Sequence, residues 1–589
     1  MTLPLAHALS VLAAVALPVL AQAEPAALVR VEQVSERLRE LAAAHPDRSR
    51  LEQVGRSLAG REILALRVGS AADARVEGAV FPGVLVVAGL DGRRAGDVDA
   101  VLRVVERLLA GADAAPQPEG TQLVFVPLAN PDGLAALLGQ DGPVRERAGN
   151  GRPDDADRDG RADEDAPADL DGDGLLAWMR VPDPEGEWVI DAHDPRALRK
   201  ARRERGERGT HRLLPEGRDA DADGAHAEDG PDGAQPDRNF PHGWKEHDLA
   251  AGSVPLSEPE SRALAEFVLA RPELYAVLVV GAQDTLAELP KGDAKAPGNW
   301  DAPLAALIDD DLAALKELQR RLRALPGGAD HKVKGEGLSP GSFLAWSYHQ
   351  AGRLPLALRL WEPPAELPKP EKQDGQPKEG GEQAAEAQAA EAPDAAPAAP
   401  ADDEPTSDAS SPVPAAVLAW LDKEGLPGAL PWTPFVHPEL GAVEIGGLRP
   451  GLLHGVPPAV MEPKVSLIAS LLGEVLAARP AVAWEGVHAA RRADGVYDLE
   501  GTLVNAGSLP AVSALARSAR LARPLSVRLE LPGGAQRLAG PVAPRVERLD
   551  GGGGRQEFRW VLSASAGQVV RLSVDSDAHP ARTVEVELP

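Results

Sequence analysis

Three acidic segments carry the strongest chemical signal in the chain. Asp155-x-Asp157-x-Asp159-Gly160 is followed by Asp163 and Asp165, at positions nine and eleven of the same loop. Asp169-x-Asp171-x-Asp173-Gly174 comes next, and Asp219-x-Asp221-x-Asp223-Gly224 is a third copy. Alternate carboxylates on a loop turned by Gly offer hard oxygens around a sharp bend, which is the pattern that holds Ca²⁺. None of the three has Glu at the twelfth position, so they read as short calcium loops rather than EF-hands. Mutual repulsion would keep such a segment unfolded without cations, so the expected ion is structural. Other metal chemistry has little to build on. There is no Cys, none of the thirteen His begins an H-x-x-E, and no two His stand at H-x-x-x-H spacing. His242 and His349 read as surface or supporting imidazoles.

Elements that could position a site lie on both sides of this acidic stretch. Val84 to Ala88 and Leu123 to Pro127 are short apolar runs closed by Gly or Pro-Asp turns, and Val98 to Leu109 between them has helical spacing. Val29 to Ala44 is a further helix, and Leu256 to Ala270 followed by Leu274 to Val280 repeats the rhythm. Buried strands alternating with helices predict an α/β sheet with parallel pairs. Glu366 to Pro412 has only Ala and one Leu as apolar residues, among many Pro, Glu and Gln, and is expected to be a disordered linker. Order is expected to resume at Val413, with a helix over Val465 to Ala478. After Pro480 the period changes to two: Leu525, Val527, Leu529 and Leu531, then Phe558, Trp560 and Leu562, then Val570, Leu572 and Val574, then Val584, Val586 and Leu588. That alternation, split by Gly-rich turns, predicts an antiparallel β-sandwich.

Composition removes several classes of function. Lys and Arg number 62 against 90 Asp and Glu, a net charge of −28, which argues against a nucleic-acid binder. Without Cys there are no disulfides, thiolate sites or Cys nucleophiles. Leu9 to Leu20 is apolar and Ala21-Gln22-Ala23 follows, the pattern of an export signal cleaved after Ala23. The mature chain is expected to be periplasmic or extracellular, with no membrane span.

Gly55 to Ile63, Asn130 to Gly133, Asp237 to Pro241, Ser257 to Ser261 and Ser342 to Trp361, taken together and in this order, resemble segments of the zinc carboxypeptidases of the A/B type. Gly55-Arg56-Ser57-Leu58-Ala59-Gly60-Arg61-Glu62-Ile63 is similar to that family's early G-(K/R)-S-x-x-G-R-(D/E)-I motif. Asn130-Pro131-Asp132-Gly133, Asp237-Arg238-Asn239-Phe240-Pro241 and Ser257-Glu258-Pro259-Glu260-Ser261 resemble its N-P-D-G, N-R-N-F-P and S-E-P-E-(T/S) segments. Ser342 to Trp346, then Pro355 to Trp361, resemble the part that carries the catalytic carboxylate. The resemblance implies a carboxypeptidase-like mixed sheet flanked by helices. It divides the chain into a leader (1–23), a carboxypeptidase-like domain (24–365) with an acidic insertion (149–237), the linker (366–412), a return to that domain (413–479) and the β-sandwich (480–589).

The family's chemistry places zinc on two His and one Glu, with a separate Glu as general base. The G-x-H-x-x-E segment that supplies two of the ligands is here Gly89-Leu90-Asp91-Gly92-Arg93-Arg94. Asp91 therefore stands for the His and Arg94 for the Glu. The third ligand, nine residues before Pro290, falls on Gly281, and the general base on Arg359. All four positions lack the family chemistry, so zinc is implied by the family but not expected in this chain. The expected replacement is an ion cluster of Asp91, Arg94 and Arg359. Arg238 aligns with the family arginine that holds a substrate carboxylate, with Asp237 beside it in place of Asn. Arg180 aligns with a second arginine, which polarises the scissile carbonyl.

Three functions follow. The first is an exported, inactive carboxypeptidase-like protein that binds peptide C-termini, a cell-surface polymer or another anionic ligand through Arg238, Asp237 and Arg180. The second is an active zinc carboxypeptidase with unrecognised ligands. The third is a calcium-stabilised structural or adhesive module.

Overall fold

The computed structural model describes residues 30–69, 81–111, 120–153, 160–163, 166–220, 224, 226–227, 232–292, 306–367, 407–576 and 579–589. The segment expected to be an export signal, most of the segment expected to be a linker, and Asp155, Asp157, Asp159, Asp165, Asp221 and Asp223 lie outside the described residues.

The chain opens with α1 (Glu32–Ala44), β1 (Ser49–Arg56), β2 (Glu62–Gly69), β3 (Gly83–Ala88), α2 (Ala95–Ala110), β4 (Gln122–Val126) and α3 (Pro131–Leu137). Four short strands follow, β5 (Trp178–Pro182), β6 (Trp188–Ile190), β7 (Leu198–Lys200) and β8 (His211–Pro215). Next come α4 (Pro259–Leu269), β9 (Leu274–Val280), α5 (Asp309–Ala324), α6 (Phe343–His349) and β10 (Leu354–Leu358). After the linker stand α7 (Ala415–Glu424), β11 (Ala429–His437), β12 (Gly441–Leu448) and α8 (Met461–Ala478).

The main sheet has the order β1-β2-β4-β3-β9-β10, with β3 parallel to both β4 and β9, and β9 parallel to β10. Every residue of β3, β4 and β10 is buried, as continuous apolar runs in a sheet covered on both faces require. Helix α2 buries Val98, Val101, Leu102 and Val105 against this sheet, and α8 adds Val465, Ile468, Leu472 and Val475 to the same core. Gly111 ends α2 in the left-handed conformation. The expected α/β class and parallel pairs are present.

A second, wholly antiparallel sheet was not foreseen. Its order is β11-β12-β5-β8-β6-β7, so strands inside the acidic insertion pair with strands beyond the linker. The C-terminal part follows as β13 (Val482–Ala493), β14 (Val496–Asn505), α9 (Ala514–Ser518), β15 (Leu525–Glu530), β16 (Gln536–Ala539), β17 (Arg545–Val546), β18 (Gly554–Ser563), β19 (Val569–Ser576) and β20 (His579–Glu587). Two antiparallel sheets, β13-β14-β18-β16 and β17-β15-β19-β20, enclose Tyr497, Leu499, Trp560, Leu562, Val570 and Leu572. The alternating residues face inward as expected. This part docks on the main domain through Asp311, which accepts hydrogen bonds from the backbone N–H groups of Ala514 (2.7 Å) and Leu515 (3.0 Å) and from the Tyr348 hydroxyl (2.9 Å). No helix among the described residues is long and apolar enough to cross a membrane.

Candidate functional site

The register of the main sheet fixes what stands at its carboxyl edge. Ala88 and Leu358 both pair with Val280, so Gly89, Gly281 and Arg359 follow in one row. Ligands of α/β sheets gather at this edge. A cavity of about 450 Å³ opens there, lined among others by Asp91, Arg93, Arg94, Asp237, Arg238, Lys245, Asp248, Gly281 and Glu336. The loop that carries Asp91 is held down by Gly92, where a Cβ would lie 2.4 Å from the Cα of Gly133.

The motif residues that carried the family resemblance form a buried polar scaffold behind the cavity. Asp132 accepts from the Ser57 hydroxyl (2.8 Å), the Ala59 N–H (2.8 Å) and the Arg61 guanidinium (2.7 Å). Asn130 caps α3 by accepting from the Gly133 N–H, and its amide donates to the carbonyls of Ala148 and Gly149. Asn239 accepts from the Glu258 N–H and the Ser261 hydroxyl, while Asn150 donates to Glu258 and Glu260. These side chains join the loops around the sheet edge to one another.

The four positions aligned with zinc chemistry are brought to the cavity or its rim, but not in the expected cluster. Asp91 is gripped by Arg93, not Arg94: the guanidinium of Arg93 donates to both carboxylate oxygens at 2.9 and 2.8 Å. Burial pushes the Asp91 carboxyl up, but Arg93 outweighs it and the net shift is downward. Arg94 is buried and pairs with Asp97 at 2.6 Å, one helical turn on. Burial raises the Asp97 carboxyl, with Arg94 opposing. Arg359 donates to the carbonyl of Lys334 at 2.6 Å, and its guanidinium is lowered first by burial and next by the charge of Arg94. The expected Asp91–Arg94–Arg359 cluster is therefore replaced by separate pairs, because each charge found a nearer partner. Nη2 of Arg94 and Nε of Arg359 remain buried without a hydrogen-bond partner.

This donor set does not fit zinc, which needs three protein ligands from His, Cys or carboxylate. Asp91 is the one possible ligand of the four, and both its oxygens are taken. Gly281 has no side chain, and the guanidinium groups of Arg94 and Arg359 have no lone pair to give. No His lines the cavity among the described residues. His242 and His349 instead stack on each other, with ring centroids 3.9 Å apart.

Two of the three aligned substrate-binding residues reach the cavity. Arg238 is exposed on its wall and contacts Asp248 at 3.5 Å. Asp237 accepts from the Phe343 N–H at 2.9 Å, and burial pushes its carboxyl up to about 7. Arg180 does not line the cavity. It lies on β5, pairs with Glu444 at 2.6 Å, donates to the carbonyl of Pro195 and packs over Trp432. Its place in the second sheet gives Nε and Nη1 structural partners and the guanidinium face an aromatic one.

In the acidic insertion, Asp169 and Asp171 come together with Glu216, the one group of three among the described residues close enough to share an ion. Glu216 is buried and accepts from the N–H groups of Leu170 and Ala177, which folds the loop around it. No spacing pattern in the sequence pointed to Glu216. Asp173 accepts from the N–H of Leu175, and Asp219 from that of Gly224. Asp163 adopts a positive φ of 59°.

The sequence model of the zinc carboxypeptidases matches residues 34–373, and that of a domain of unknown function (DUF8731) matches residues 481–587. The chain belongs to the zinc carboxypeptidase family. Among solved structures it is similar to carboxypeptidase A from Helicoverpa armigera (17% identity, 57% of this chain and 64% of that one, TM-score 0.33). It is also similar to a metallo-carboxypeptidase from Burkholderia cenocepacia (13% identity, 56% and 59%, TM-score 0.29) and to the murein-tripeptide amidase of Escherichia coli O157 (16% identity, 52% and 82%, TM-score 0.23). The match spans less than two thirds of the first two chains. No curated protein matches the sequence.

Proposed function

We propose that this chain is an exported, catalytically inactive member of its family that uses the old active-site cavity to bind the carboxylate end of a peptide or another anionic ligand. The observation that carries this reading is a cavity with its scaffold intact whose metal positions hold Asp91, Arg94, Gly281 and, at the rim, Arg359. Arg238 and Lys245 are exposed on its wall, and unpartnered guanidinium N–H groups lie beneath it. Guanidinium groups recognise carboxylates through charge-assisted hydrogen bonds. Elemental analysis of the mature chain, dialysed against trace zinc, tests the first half of the reading. Zinc well below one equivalent is expected, and about one tightly held zinc per chain would restore the active-peptidase reading.

The acidic insertion is read as calcium-stabilised, on the convergence of Asp169, Asp171 and Glu216. Calcium here would support the fold rather than the chemistry, since none of the three lines the cavity.

A further inference from the structure

Asp237 and Arg238 stand side by side on the cavity wall and are held in opposite ways. Arg238 reaches into solvent with one long contact to Asp248. Asp237 is drawn in, with Oδ1 fixed by the Phe343 N–H at the start of α6 and the carboxyl still part of the lining. Glu336 and Asp91 act on it with negative charge, and Arg238 with positive charge. Arg93, Arg94, Lys245 and Asp248 complete the charges around the same space.

Asp237 and Arg238 line the same cavity, so a ligand carboxylate held by Arg238 would lie beside this carboxyl. If Asp237 is ionised, two anions face each other across a partly desolvated gap, and the ligand is rejected. If Asp237 is protonated, the same group has an O–H to donate to the ligand and the repulsion is gone. A carboxamide end behaves differently, because its N–H₂ can donate to the ionised form. Burial, reinforced by Glu336 and Asp91, pushes the Asp237 carboxyl up to about 7, so both forms exist near neutral pH.

We propose that Asp237 sets the specificity of the cavity: a peptide ending in a carboxylate binds together with one proton taken up by Asp237, whereas a peptide ending in a carboxamide binds without it. This rests on the reading of the cavity as a site for peptide ends.

The test uses the full chain and two dansyl-tripeptides, one with a free C-terminal carboxylate and one with a C-terminal amide, titrated by fluorescence anisotropy across neutral pH. The peptide's own carboxyl titrates well below this range, at about 3.5. Affinity for the carboxylate peptide is expected to fall about tenfold per pH unit above 7, as uptake of one proton requires. Affinity for the amide peptide is expected not to fall. Asp237→Asn keeps an oxygen to accept from the Phe343 N–H, and is expected to bind both peptides with a flat profile. His242 and His349 are common to both proteins and cancel in the comparison. A flat profile for the carboxylate peptide in the unaltered chain, which needs no variant to measure, would overturn the inference and leave the peptide-end reading standing. A tenfold slope retained in Asp237→Asn would overturn it equally. Failure of both peptides to bind either protein at any pH would remove the peptide-end reading and the inference with it.

Discussion

Replacing Arg94 by Met tests whether the sheet edge at the positions aligned with the family's zinc ligands is held by a buried charge pair. Arg94 is 3% exposed and Asp97 0%, and they meet at 2.6 Å. Apart from Arg94, Asp97 accepts only a 3.3 Å hydrogen bond from the Val456 N–H. Met fills the space of the Arg stem but leaves the carboxylate without its cation. Removing one partner of a buried pair costs about 3–5 kcal/mol, since the remaining charge stays desolvated. In a domain of this size that corresponds to a melting shift of about 6–10 °C, taking ~2 °C per kcal/mol. The loss has a definite pH dependence. Burial already raises the Asp97 carboxyl, and without Arg94 it rises further. A carboxyl raised in the folded state favours folding at low pH, and that contribution is lost as pH rises through its folded value. The deficit of Arg94→Met is therefore larger at alkaline than at mildly acidic pH. Adding Asp97→Asn removes the stranded charge and is expected to recover more than half of the loss. Urea unfolding followed by the fluorescence of the ten Trp residues, at two pH values, measures all of this. Equal losses in Arg94→Met and the double variant, or a deficit that ignores pH, would refute the role given to this pair.

Two further outcomes are expected. Asp311→Ala strips the acceptor from two buried N–H groups of α9 and from the Tyr348 hydroxyl, at a cost of about 3 kcal/mol or more. The C-terminal sandwich should then become separable by limited proteolysis near residues 506–522, and unchanged cleavage would count against Asp311 as its anchor. Calcium chelation is expected to lower the first melting transition of the whole chain, and Asp171→Asn should blunt that response. A transition indifferent to both calcium and chelator would remove the calcium reading of the insertion.

Much of the fold was legible because it is written in local patterns. The short apolar runs of β3, β4 and β9 pointed to buried strands, and the alternation around Phe558, Trp560 and Leu562 showed a sheet with one covered face. The second sheet was not legible. Strands such as Leu198–Lys200 are too short to show a period, and β5 finds its partner β12 more than 250 residues away, across the linker. Arg180 was misplaced for the same reason, since its partner Glu444 lies on that distant strand. At the cavity the sequence pointed to residues that the fold does bring to one sheet edge, but to the wrong pairs among them. Asp97, three residues after Arg94 at a helix start, was a readable partner by helical spacing, and Arg93 was a readable one for Asp91. Glu216 had no readable sign, because its role depends on backbone N–H groups that only the folded loop brings to it.

The retained and the altered residues differ in what their loss would cost. Asp132, Asn130, Asn239 and Glu258 each satisfy several buried donors or acceptors, so changing any one leaves others unpaired in the interior. They hold the sheet edge and its loops in place whether or not a metal is present. Zinc ligands in this family stabilise a site only through the metal they share. Without an ion, positions aligned with them need only be filled by groups that neutralise one another. Arg93 with Asp91 and Arg94 with Asp97 do that locally, within two and three residues of sequence. Gly281 adds no side chain at the same edge, and the scaffold around the cavity is held by hydrogen bonds between protein groups. The charges that face this cleft are Arg238 and Lys245 against a half-buried Asp237, and under the proposed reading they favour an anionic end that binds with one proton taken up by Asp237.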